Sequence, residues 1–355
     1  MRRLLLLAFV LASAGTFSAQ SKNLDMYWVD VEGGAATLIA TPSGESMLID
    51  TGFPVDDRDA KRIYAATQLA GLKKIDHLVI SHYHGDHVGG LTALVKMIPV
   101  GRFYDHSDAI EPANQQWLDA YRTASAGKRT IVKAGDEIPL KGVNVLVVAS
   151  DQHVIAKTLK GGGPNPLCQN AEQKEPVSPE NQRTVGVLLT YNKFKYLNLI
   201  DLDWEKDMEL ACPVNKLGTV TLYQTSRHGS FDGAASPPFL GAIKPQVIVV
   251  NNGPRKGLGQ VDPPKSATPP GVQAAPYEHN SYLRMATIPG IEGIWQGHLS
   301  LLDSNPQHNT SPDMIANVEE TKDCKGNWIK ASVAGDGKFT MTNGRNGFSK
   351  TYAAR

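Results

Sequence analysis

Ten consecutive residues, Ser81-His82-Tyr83-His84-Gly85-Asp86-His87-Val88-Gly89-Gly90, constrain this chain of 355 residues more than any other feature. Three histidines and an aspartate within six positions are hard to account for as packing. They suit metal ligation, because imidazole is the commonest transition-metal ligand and an Asp oxygen fits the same borderline ions. The apolar run Ile75–Ser81 leads directly into the cluster and reads as a buried strand. The ligands therefore fall in a loop at that strand's C-terminal end. There His82 and His84 face one way, and Asp86 and His87, past the Gly85 bend, face another. That spacing serves two ions a few ångströms apart.

The flanking sequence predicts the setting of that loop. Leu24–Val31, Ala36–Thr41 and Ser46–Asp50 read as strands separated by Glu32-Gly33-Gly34 and Pro42-Ser43-Gly44 turns, a β-meander ending at Asp50-Thr51-Gly52. Asp59–Leu72 reads as a helix with Ile63, Ala66 and Ala70 on one face, and Val88–Ile98 as another entered through Gly89-Gly90. Val143–Ala149, Thr184–Tyr191, Tyr196–Ile200, Val220–Gln224 and Val247–Val250 have strand composition. Long loops are expected at 161–179 and 253–276, and loops of that length tend to cover a site. Trp328–Val333 and Lys338–Thr342, around Gly335-Asp336-Gly337, predict a β-hairpin.

His82-x-His84-x-Asp86-His87 resembles the signature of the metallo-β-lactamase fold hydrolases, in which a meander ending in Asp-Thr-Gly precedes the histidine motif. Asp30-Val31-Glu32-Gly33-Gly34-Ala35 is similar to the start of the branch related to the DNA-uptake channel protein ComEC. Asn181 before the strand at 184–191, the strand ending at Asp201, and Arg227-His228-Gly229-Ser230 resemble that branch too. The likeness covers about residues 24–255. It departs at Arg227, where the branch usually has His, and at Ala35, where it often has Asp.

The resemblance implies an α/β fold, a four-layer αββα sandwich, over 21–300, with a C-terminal β-hairpin extension at 301–355 packed on it. It implies His82 and His84 at a first metal, Asp86, His87 and His228 at a second, and Asp201 bridging. Asp86 and Asp201 would hold the attacking water in line. Asp203 is the alternative to Asp201, although a helix over Trp204–Leu210 would take Asp203 as its N-cap. Asp50 is expected to orient a ligand histidine. The family's third histidine at the first metal has His153 as its best candidate here. His77, His106, His279, His298 and His308 read as structural or surface residues.

Two divalent ions, zinc first and manganese as the alternative, would lower the pKa of a water so that it attacks a carbonyl or phosphorus. The resemblance points first to a phosphodiester, with nucleic acid possible if Arg227, Lys157, Lys160, Arg255 and Lys256 line the cleft. The rivals are a lactone, thioester or β-lactam as a small-molecule substrate, and a non-catalytic metal-binding role. A net charge of +1, from 36 Lys and Arg against 35 Asp and Glu, excludes a global pull on nucleic acid.

Arg2-Arg3 followed by the apolar run Leu4–Leu11 and small residues predicts a signal peptide over 1–20, and so an exported, periplasmic or secreted protein. No later segment is apolar enough to span a bilayer, so no stable membrane insertion is expected after cleavage. Export exposes Cys168, Cys212 and Cys324 to oxidising conditions, which allow one disulfide by any of three pairings.

Overall fold

In the first strands successive side chains enter two different cores, and that alternation builds the layers. A computed structural model describes residues 23–169, 171–231, 236–260, 280–321 and 323–355. The expected signal peptide, most of the loop expected at 253–276, and His279 lie outside the described residues. The first half runs β1 (Leu24–Trp28), β2 (Thr37–Ala40), β3 (Ser46–Ile49), α1 (Arg58–Leu69), β4 (Ile75–Val79), α2 (Gly85–Val88), α3 (Leu91–Met97), β5 (Val100–Asp105), α4 (Gln115–Ala124) and β6 (Arg129–Ile131). The chain continues through β7 (Asn144–Ser150), β8 (His153–Val154), β9 (Gly163–Pro164), β10 (Gly186–Tyr191), β11 (Phe194–Asn198), α5 (Trp204–Ala211), β12 (Val214–Asn215), β13 (Leu222–Gln224), α6 (Pro237–Ile243) and β14 (Val247–Val250). It ends with α7 (Ser281–Ala286), β15 (Gly293–His298), β16 (Ile315–Asn317), β17 (Ile329–Val333), β18 (Lys338–Asn343) and β19 (Ser349–Ala353).

A nine-stranded sheet has the order β19-β18-β17-β1-β2-β3-β4-β5-β6, and an eight-stranded sheet the order β16-β15-β14-β13-β11-β10-β7-β8. Met26, Ile39, Met47 and Ile49 of the first sheet share one core with Val187, Leu189, Leu222, Val247 and Val249 of the second. The intervening Leu38 and Leu48 point the other way, onto Ile63 of α1, Leu94 of α3 and Leu118 of α4. Leu188, Tyr223 and Ile248 likewise meet Leu210 of α5, Phe239 of α6 and Met285 of α7. Period-2 alternation with both faces buried thus produces helix, sheet, sheet, helix, the four-layer sandwich expected.

Two regions differ from expectation. The helix predicted over 88–98 starts at Leu91 as α3, and a separate short helix, α2, precedes Gly89-Gly90. A Cβ on Gly90 would lie 2.1 Å from the Thr51 carbonyl oxygen, so the chain there is pressed against the end of β3. The C-terminal residues expected to pack on the domain are instead strands within it. Residues 315–317 extend the second sheet, and 329–353 extend the first beside β1. The predicted hairpin is β17–β18, with β19 as a third strand. Cys168 and Cys212 form a disulfide and Cys324 is free. No described helix is long and apolar enough to cross a membrane.

Candidate metal centre

The site gathers at the C-terminal ends of β3, β4, β11 and β13, where chains from both sheets leave the sandwich. Asp50 follows β3 in the left-handed region, at φ 62°. Its carboxylate accepts the Ser81 N–H at 2.8 Å and the Ser81 hydroxyl at 2.7 Å, and lies 2.8 Å from His87 Nδ1. The Asp86 carbonyl accepts the Ala35 N–H at 3.1 Å. A Cβ on Gly34 would approach that oxygen to 2.4 Å, so the turn after β1 admits only glycine there without displacing the histidine loop. These contacts give the Glu32-Gly33-Gly34 and Asp50-Thr51-Gly52 segments their part in the site.

Asp86, His87, Asp201 and His228 offer ligand atoms all within 4.8 Å of one another. Asp86 Oδ2 is 3.2 Å from His87 Nε2 and 3.3 Å from His228 Nε2. Asp201 approaches the same two nitrogens at 3.5 and 3.3 Å. His87 Nδ1 is held by Asp50, and Asn251 Nδ2 lies 3.1 Å from His228 Nδ1. Both Nε2 atoms are buried and make no hydrogen bond. Two buried imidazole nitrogens aimed at two carboxylates, with no partner of their own, fit a divalent cation.

Electrostatics mark the site as one that attracts positive charge. Burial opposes charge on Asp86, but His87, His228 and Lys256 hold its carboxyl well below the usual range. Burial likewise opposes charge on Asp201, and His228 and His87 pull it down. For His87 burial favours the neutral ring, yet Asp86, Asp201 and Asp50 outweigh it and raise the pKa.

His82 and His84 make a second convergence, with His82 Nε2 3.0 Å from His84 Nδ1. Each ring is oriented through its other nitrogen. His82 Nδ1 is 3.0 Å from Ser81 Oγ, and His84 Nε2 is 3.2 Å from Glu111 Oε2. Burial, with His87 and His84 nearby, keeps the His82 ring neutral, as a ligand must be. The His82 and His87 ring centroids are 4.1 Å apart, so the two centres adjoin.

A sequence profile of the metallo-beta-lactamase superfamily matches residues 29–168. The match takes in the histidine loop and the strands that lead to it. Over 76 residues it is 32% identical to an atrochrysone carboxyl ACP thioesterase from Cryptosporiopsis sp., covering 21% of this chain and 23% of that one. Over 67 residues it is 40% identical to the hydroxyacylglutathione hydrolase of Aeromonas salmonicida, covering 18% of this chain and 26% of the relative. The chain therefore spans about a quarter of the length of these curated relatives. The metallo-beta-lactamase fold protein YhfI from Bacillus subtilis aligns with a TM-score of 0.44 at 10% identity, over 77% of this chain and 95% of that one.

Six of the seven residues read from sequence as ligands come together: His82, His84, Asp86, His87, Asp201 and His228. His153 does not join them. It is exposed on β8, the outer strand of the second sheet, opposite Ser150. Asp203 stands at the N-terminus of α5, its Oδ2 accepting the Val177 N–H at 3.1 Å. Of the five cations suggested for phosphate, Lys256 reaches the centre and pairs with Asp86. Arg255 pairs with Glu320 on the surface, Arg227 lies 3.6 Å from Asp203, and Lys157 and Lys160 are exposed. Glu111 and Asn251 carried no sequence signal, since folding alone brings them to His84 and His228.

Proposed function

We propose that the chain is a metal-dependent hydrolase acting on a small anionic ester or thioester. The observation that carries this reading is the pair of unpartnered nitrogens, His87 Nε2 and His228 Nε2, facing the Asp86 and Asp201 carboxylates. Divalent cations in such a site lower the pKa of water and polarise a carbonyl or phosphoryl oxygen. His82, His84, Asp86, His87, Asp201 and His228 would hold them, with Asp201 between the two centres. Asp50, Ser81 and Glu111 fix which ring nitrogen each histidine presents.

The mouth supports an anionic substrate with an apolar part. Lys256 is the most exposed of the charged groups at the second centre, at 38% of its side chain. Once Asp86 is committed to a cation, the Lys256 ammonium is left to face an incoming anion. Ile110 and Val177, both exposed, flank Glu111 and its partner Ser178. The thioesterase and acylglutathione hydrolase names of the partial relatives agree with this reading. A phosphodiester is the second reading, supported by the likeness to the ComEC-related branch and by the same Lys256. Among the described residues Lys256 is the exposed cation paired at the second centre, which suits a small substrate better than a polynucleotide with its several phosphate contacts.

The test sets an acyl thioester against a generic phosphodiester, each with added Zn²⁺ or Mn²⁺ and with Asp201→Asn as control. Metal-dependent thioester turnover lost in the control is expected. Turnover of the phosphodiester alone moves the assignment to the second reading, and turnover of neither by folded, metal-loaded protein defeats both. Lys256→Ala is expected to raise KM about tenfold with kcat little changed, since a charge-assisted hydrogen bond contributes about 1.5–3 kcal/mol. An unchanged KM for the anionic substrate would remove Lys256 from substrate binding.

We also read the chain as exported. The basic and apolar start supports this, and so does the Cys168–Cys212 disulfide, a bond that persists in oxidising compartments. Fractionation of expressing cells tests it: retention of the uncleaved chain in the cytoplasm would overturn it.

A further inference from the structure

The first centre is short of a donor. His82 Nε2 and His84 Nδ1 converge there and Asp201 is shared with the second centre, yet His153, the expected third donor of its own, is elsewhere. The turn 180–185 bonds to the histidine loop at both of its ends. At one end the Glu180 carboxylate accepts the Tyr83 N–H at 3.1 Å. At the other the Val185 N–H donates to the Ser81 carbonyl at 2.9 Å. The turn is thus fastened to both residues flanking His82.

Between those fastenings stands Asn181, 2% exposed, with its Oδ1 buried and unpartnered. His87 Nε2 and His228 Nε2, the nitrogens that face the second centre, have the same signature. A buried amide oxygen without a donor is costly, and a bound cation would relieve that cost. Thr184 Oγ1 in the same turn is also unpartnered. A hydroxyl that keeps its proton is a poorer ligand for a cation than an amide oxygen.

Building on the dinuclear reading above, we propose that Asn181 Oδ1 is the third donor that the first centre holds for itself, beside His82 and His84, in place of a histidine. Two imidazoles with an amide oxygen form a harder donor set than three imidazoles. The first centre therefore favours Mn²⁺ over Zn²⁺ more than an all-histidine site does.

Metal uptake tests this without an activity assay. The purified full chain and its variants are titrated with Mn²⁺ alone and Zn²⁺ alone, bound metal is counted after dialysis, and affinity is read by chelator competition. The unaltered protein is expected to hold two ions. Asn181→Leu keeps one, with its circular dichroism unchanged, and Thr184→Val keeps both. Asn181→Asp, with the same shape and an added charge, tightens Mn²⁺ at the weaker site by about tenfold or more. Two ions at unaltered affinity in Asn181→Leu overturn the proposal. Should that variant fail to fold, unaltered Mn²⁺ affinity in Asn181→Asp overturns it. One ion in the unaltered protein also defeats it while leaving a mononuclear site, and no ion defeats the dinuclear reading itself.

Discussion

Asp50 decides which nitrogen His87 presents. It is fully buried, and burial pushes its pKa up, with His87 and the Ser81 donors pulling the other way. With both Ser81 contacts in place, the carboxylate can only accept from His87 Nδ1, and Nε2 is left free for a cation. An asparagine there offers an amine to the ring in one of its two orientations and no charge in either. Asp50→Asn is therefore expected to weaken metal binding about 10–100-fold without unfolding the chain, read by chelator competition. Unaltered affinity would mean that the His87 tautomer is set elsewhere. At this scale the sequence was most legible where ligands lie close together, at His82, His84, Asp86 and His87. Asp50 was legible through its place at the end of the meander. Glu111 was not, because its contact with His84 spans 27 residues and no spacing rule covers that interval.

Between elements, one carboxylate joins three layers. Asp30, just past β1, lies 2.7 Å from His298 Nε2 at the end of β15, and 3.1 Å from the Arg62 guanidinium on α1. Cys324 is nearby, but the Arg62 guanidinium already engages Asp30 Oδ2, which makes this grouping an ion pair more than a metal site. Burial resists charge on Asp30, and His298 and Arg62 together draw its pKa below the usual 3.8. A lowered folded-state pKa means that its stabilisation is present above pH 3.8 and is lost as pH falls through the lower, folded value. Asp30→Asn should cost about 3–5 kcal/mol near neutral pH by stranding buried positive charge. It should also flatten the loss of stability below about pH 4. Urea denaturation across that range checks both, and a parallel pH profile in the variant would rule out the linkage. The sequence reading saw Asp30 as the head of a motif, not as a tie between sheets. It also passed over β5, whose pattern mixes exposed Gly101 and Arg102 with buried Phe103, Tyr104 and Asp105, too short a stretch to declare a period.

For the whole molecule, the question is which residues close the sandwich. β17 pairs with β1 from Leu24↔Val333 to Trp28↔Ile329, so the C-terminus completes the sheet that the N-terminus begins. The period of β17 and β18 was legible as a hairpin. Its place inside the first sheet was not, because pairing across some three hundred residues leaves no local trace. Ile315, Ile329, Val333, Phe339, Met341 and Tyr352 are all buried in these last strands. At roughly 1.5–3 kcal/mol for each large apolar side chain, their burial is comparable with the ~5–15 kcal/mol that holds a domain folded. A chain ended at residue 300 would lose all of it and leave Leu24, Met26 and Trp28 on an open edge, a template for aggregation. Such a chain is expected to lack cooperative unfolding and to bind no metal, because Asp50 and the histidine loop hang from the same sheet. Calorimetry and metal counting on the truncated protein decide the matter. A cooperative transition with metal retained would make residues 301–355 a dispensable extension, and its absence makes them part of the frame that positions the centre.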